Sequence, residues 1–160
     1  MIKVSFILLC ITLYLLVSPV YPESKAEFKL SETEKFLTLG SVFALEDKTS
    51  SLSSQEIFEN FDKYSFKVFP KPDINLGFTD STYWIFFNIE NDLLEKDSAY
   101  LIITNSYLEN VMFHIRDQSG GDFFLETGTL TQNLEVYPET KIEIPSKSRI
   151  KCLIKITYQI

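Results

Sequence analysis

Residues 82–90, TYWIFFNIE, constrain this chain more than any other stretch. Nearly every position is β-branched or aromatic, the side-chain types that fill a pleated surface, so the stretch predicts a strand. Successive strand side chains point to opposite faces, which places Tyr83, Ile85, Phe87 and Ile89 on one face and Trp84, Phe86 and Asn88 on the other. Both faces are largely apolar. A strand of this kind belongs in the interior of a sheet covered on both sides, because at an exposed edge it would recruit other chains.

The rest of the chain supplies partners for it. Residues 36–45 (FLTLGSVFAL) predict one or two short strands broken at Gly40, and residues 66–69 another, ended by Pro70 and Pro72. Beyond the central strand, residues 100–105 (YLIITN), 110–116 (NVMFHIR), 123–127 and 149–158 (RIKCLIKITY) read as strands, with weaker ones at 135–137 and 141–144. The two glycines of residues 117–122 (DQSGGD) supply the positive φ that a hairpin turn needs. In the last strand Ile150, Cys152, Ile154 and Ile156 form an inward face against Lys151, Lys155 and Thr157, and Leu153 breaks the alternation.

One helix is expected. Ser53 and Glu56 stand in the S-x-x-E spacing of a capping box, and Ile57, Phe58 and Phe61 put apolar groups on one side of residues 54–62. Its expected role is a plug over an open end of the sheet. Eight or nine strands about ten residues apart with one helix indicate an all-β sandwich.

The first residues stand outside this pattern. A short positive start, an unbroken apolar run over residues 4–17 and a more polar region to Ala26 read as a signal peptide over residues 1–26, leaving one domain over 27–160. The run is shorter than the roughly 20 residues that span a bilayer. The expected location is therefore periplasmic or extracellular, with membrane tethering only if the segment is retained. Residues 25–34 read as a mobile leader. Setting aside Lys3, Lys25 and Glu23 takes the chain's 15 basic and 22 acidic residues to 13 and 21, so the exported part carries a net charge of about −8. Such a chain does not suit nucleic acid, which needs a clustered positive surface. Nothing after Val17 is apolar for long enough to span a membrane. Cys152 is the one cysteine left after the leader and cannot form an internal disulfide.

Catalysis has little support in the residues. His114 is the single histidine and suggests a structural or surface role rather than a catalytic or metal-binding one. Cys152 sits among inward isoleucines, where a thiol behaves as a small hydrophobe. The carboxylate pairs Asp73 with Asp80 and Glu109 with Asp117 could serve glycoside hydrolysis in principle, but in an acidic chain such pairs arise by chance. No cofactor or metal is expected. Binding is better supported. Trp84, Tyr83 and Tyr107 offer aromatic faces for the C–H patches of a sugar, and Asp80, Asn88 and Asn105 offer acceptors and donors for its hydroxyls. Against this stands the core reading of Trp84, natural for a central strand.

A succession of motifs adds to this reading. Leu45-Glu46-Asp47 with Leu52; Asn75-Leu76-Gly77-Phe78; Tyr83-Trp84-Ile85 with Phe87; Leu108-Glu109-Asn110-Val111 with His114-Ile115; Gly120-Gly121; Thr127-Gly128; and Ile154-Lys155-Ile156 together resemble one family. It is the second type of extracellular sensor domain from bacterial seven-transmembrane receptors with diverse intracellular signalling modules. The resemblance covers roughly residues 42–158. It implies a jelly-roll of two antiparallel sheets similar to carbohydrate-binding modules, a small-molecule or carbohydrate ligand, and a role in signalling. In two places the chain departs from the family, with Phe86 where an arginine usually follows the Trp-Ile pair and Thr131-Gln132-Asn133 where another follows Thr-Gly. If those arginines touch ligand in relatives, binding is altered here. The receptors continue into seven membrane helices and a signalling module, and this sequence does not, which implies a membrane receptor or other signalling partner. The alternative is a non-catalytic structural or protein-interaction domain, or a truncated receptor piece without ligand.

Overall fold

The computed structural model describes residues 26–32, 39–70, 76, 79–95, 97–104, 108, 110–128 and 139–157. Nine strands are present among them: β1 (Glu27–Lys29), β2 (Val42–Asp47), β3 (Lys67–Phe69), β4 (Thr82–Asn91), β5 (Ser98–Ile102), β6 (Asn110–Arg116), β7 (Asp122–Thr127), β8 (Glu139–Glu143) and β9 (Ser148–Thr157). A short helix α1 (Ser54–Glu59) runs on into a 3-10 turn at Phe61–Lys63. The fold is all-β and sandwich-like. Its larger sheet has the order β3-β2-β4-β9-β6-β7, and β5 pairs with β8 in a second sheet.

β4 is the central strand of the larger sheet, as its two apolar faces predict. Its first half pairs antiparallel with β2, and from Tyr83 to Asn91 it pairs antiparallel with β9. Its second half takes β1 as a parallel partner, Phe28 lying opposite Ile89. The expected mobile leader is therefore in part a strand. Phe28 meets Phe87 edge-on at 5.8 Å, Lys29 reaches Glu90 at 2.7 Å, and Arg149 pairs with Glu27. The sequence signal was weak because three residues are too few to show a period.

The alternation in β4 assigns each side of the sheet. On the face carrying Ile85 and Phe87, the register aligns Ile85, Ile154 and Phe113 in one row and Phe87, Cys152 and Ile115 in the next. The β5–β8 sheet covers this side, with Ile142 and Ile144 buried in the shared core and Asn91 Nδ2 donating to Ile144 O at 2.6 Å. On the other face Phe43, Phe86, Leu153, His114 and Phe124 align across five strands.

α1 and the turn after it cover that second row. Phe58 lies 4.7 Å from the His114 ring, and Phe61 lies 4.5 Å from Phe86 and 4.3 Å from Phe66. This corrects the expected end plug, since the helix lies over the middle of a sheet face. It also explains Leu153, whose break in the alternation marks a strand covered on both sides. The cap forms as its spacing predicts on one side only. Ser53 Oγ accepts from Glu56 N at 3.1 Å, while the Glu56 carboxylate accepts from Tyr64 Oη at 2.8 Å instead of reaching back.

Candidate functional site

Of the residues singled out for ligand contact, Trp84 and Asn88 are interior groups, 1% and 3% exposed. Trp84 lies opposite Leu45 on one side and Lys155 on the other, with Lys155 Nζ 5.5 Å from the ring centre. Tyr83 is half-buried and Asp80 exposed, both at the start of β4. Beside them Ser81 Oγ donates to Glu46 Oε1 at 3.0 Å and Thr82 Oγ1 to Ser50 Oγ at 2.8 Å, so this end is tied by local polar contacts. Asn105 and Tyr107 lie outside the described residues, as do Asp73 and Glu109.

The structure gathers a polar cluster that the sequence reading passed over. His114 is fully buried between Phe58 and Phe124, the second ring centre 3.9 Å away. Asp122 lies directly beside it. Its Oδ1 is 2.9 Å from His114 Nε2, an ion-pair distance without hydrogen-bond alignment, since both ring nitrogens lack a hydrogen-bond partner. The same carboxylate accepts from Arg116 Nε at 2.7 Å and Nη2 at 2.9 Å. Arg116 Nη2 also donates to Gln55 Oε1 at 2.6 Å, and the guanidinium stands 4.5 Å over the Phe58 ring.

Electrostatics follow from this packing. The Arg116 hydrogen bonds hold Asp122 down at about 2, with His114 adding to the effect against the opposing pull of desolvation. Burial pushes the His114 pKa below its ordinary value, outweighing the nearby carboxylate. The histidine is thus neutral and the aspartate charged at neutral pH. An Asp–His pair can serve a nucleophile, but none of the contacts described for this pair is with a hydroxyl or a thiol. Cys152 points to the opposite sheet face, where burial raises its thiol far above the usual range. The cluster binds α1 to the sheet. Among the described residues no three His, Cys, Asp or Glu side chains come together to hold a metal ion.

A cleft of about 260 Å³ opens beside this cluster, between the β6–β7 turn and β8, with Asp122 among its lining residues. Ile115, Ile142 and Ile150 are buried and back it from the core, Phe123 makes a wall, and Asp117 and the Lys141–Glu143 pair its rim. The turn is rigid: Asp117 Oδ1 accepts from Ser119 N at 2.7 Å, Ser119 Oγ at 2.7 Å and Gly121 N at 2.8 Å. Gly120 takes the positive φ, +87°, and a Cβ at Gly121 would stand 2.6 Å from Asp117 Oδ2. The sequence marked this turn by its glycines but gave no sign that β8 would pack across from it.

No curated protein matches the chain. The profile of one family does, that described as 7TMR-DISM extracellular 2, over residues 40–159, from just before β2 to just past β9. That span is three-quarters of the sequence and includes the helix, the polar cluster, the cleft and every described strand except β1. The chain belongs to the 7TMR-DISM extracellular 2 family, the extracellular sensor domains of seven-transmembrane receptors.

Proposed function

We propose that this chain is an exported, non-catalytic sensor domain that binds a carbohydrate or another small molecule and acts in signalling through a partner. The family match over residues 40–159 carries the reading. Support also comes from the fold: a sandwich covered on both faces is a rigid frame, and rigid frames present binding groups at their ends and on connecting loops. The non-catalytic part of the reading rests on the Asp122–His114 pair, whose described contacts are with Arg116 and aromatic rings. No helix among the described residues is long and apolar enough to cross a membrane.

Thermal melting of the exported portion with and without sugars tests this. A ligand that binds only the folded state at a hundred times its Kd stabilises by about 2.7 kcal/mol, a rise of several degrees. Curves that stay flat across neutral, acidic and amino sugars would remove the carbohydrate reading. A second reading, a protein-interaction domain, is favoured by Tyr100 and Ile102, 62% and 42% exposed on the outer side of β5. Sedimentation of the domain with a candidate receptor partner, before and after Tyr100→Ser, tests that alternative.

A further inference from the structure

We propose that the cleft between the β6–β7 turn and the edge of β8 that no described strand pairs is a binding site for one neutral, polyhydroxylated ring, such as a single pyranose sugar. This rests on the ligand-binding reading above and gives it a place, at the opposite end of β4 from Asp80 and Tyr83.

Three observations carry it. The first is size. At about 260 Å³ the cleft lies just below the range of pockets for drug-sized ligands, which suits one ring and not an enclosed oligomer. The second is the chemistry of the walls. Ile115, Ile142 and Ile150 are buried and back the cleft from the core, and Phe123, 46% exposed, presents a ring to the C–H face of a sugar. The third is the edge of β8. Ile144 N donates to Asp97 O across the β5–β8 ladder. By the alternation of antiparallel pairing, the backbone groups of Lys141 and Glu143 then point away from β5, toward the cleft. Their N–H groups have no partner among the described residues. Beside them the Lys141 ammonium and Glu143 carboxylate stand 3.1 Å apart, a donor and an acceptor placed side by side for adjacent hydroxyls. Both side chains are more than half exposed, so the pair is weak and opens at little cost.

Charge narrows the class. Lys141 and Glu143 cancel, Asp122 is matched by Arg116, and Asp117 keeps a carboxylate at the lip that its hydrogen bonds hold in the charged form, so the rim is net negative. An anionic ligand meets repulsion there.

The test uses calorimetric titration of the exported portion with glucose, galactose, mannose and glucuronate, for the wild type and for Glu143→Gln, Lys141→Met, Asp80→Asn and Tyr83→Phe. The expected result is a neutral sugar that binds the wild type, with affinity reduced about ten- to a hundredfold in Glu143→Gln and Lys141→Met and unchanged in the other two. Melting without sugar confirms that each variant folds, and the two cleft positions lie on the surface. If a sugar binds and the cleft variants keep full affinity, the site is overturned while the sensor reading stands. Glucuronate binding more tightly than glucose would overturn the neutral class. If the wild type binds none of the four, the site is overturned, and the carbohydrate reading falls with it only if the melting curves also stay flat with amino sugars.

Discussion

Asp122 stands among several charged and titratable groups. It holds Arg116 through two hydrogen bonds and lies beside a histidine that burial keeps neutral. The consequence for acid stability has a definite sign. In the unfolded chain His114 takes up its proton as pH falls through about 6.5, whereas in the fold it resists, its pKa being lowered chiefly by desolvation. The unfolded state therefore binds more protons, and stability declines as pH falls below about 6.5. Asp122 adds a second loss between its unfolded value near 3.8 and its folded value of about 2. Melting at pH 7.5 and pH 5 should show a drop for the wild type and a smaller one for His114→Leu, since carboxylates contribute little in that window. Equal slopes would mean that His114 is not held neutral. Arg116→Met should cost about 1–3 kcal/mol in urea denaturation, between the small worth of an exposed pair and the larger loss from a buried one. The guanidinium is partly exposed and joins Asp122, Gln55 and the Phe58 ring.

At the scale of the element, α1 is the piece whose place follows least from its own sequence. Its cap and its apolar side were legible at Ser53, Ile57, Phe58 and Phe61, because capping and helical spacing are local properties. Where it docks was not, because that depends on a row assembled from Phe43, Phe86, Leu153 and His114 on four separate strands. The one trace was Leu153, an apolar residue where alternation called for a polar one. Two substitutions separate the local and docked contributions. Ser53→Ala should cost about 1 kcal/mol through the lost cap. Phe61→Ala should cost about 3 kcal/mol, as large aromatic truncations do in packed interiors, since its ring packs on Phe66 and Phe86. Denaturant midpoints measure both. A smaller loss at Phe61 than at Ser53 would mean that the helix stands on its own cap and not on the sheet.

For the whole molecule, the strands and their partition into a sandwich were readable because each rests on a period of two. β6 agrees with the expected residues 110–116, β4 runs one residue past its expected end, and β9 starts and ends one residue earlier than expected. Long-range pairings were not readable in the same way. No local pattern indicates that Glu27–Lys29 adds parallel to β4, or that β8 crosses to face the β6–β7 turn. The candidate site shows the same limit. Tyr83 and Asp80 stand at the start of β4, Tyr83 half-buried and Asp80 exposed, whereas Trp84, chosen for its chemistry, is core because a central strand buries both faces. What joins the two layers is polar as well as apolar. Asn91, at the end of β4 and wholly buried, donates to Ile144 O at 2.6 Å and to Pro145 O at 3.3 Å, and its Oδ1 accepts from Leu93 N at 3.0 Å. One amide thus fixes the chain leaving each sheet. Asn91→Leu leaves the Ile144 carbonyl without this donor in a dry site, at about 1–3 kcal/mol. Because the contact joins layers and not strands within one sheet, the loss should fall unevenly. Hydrogen exchange should show β5 and β8 losing protection well before β4, β9 and β6, with the larger sheet still folded. Uniform loss across both sheets would instead show that Ile142, Ile144 and the rest of the apolar core make the two layers a single cooperative unit without the amide.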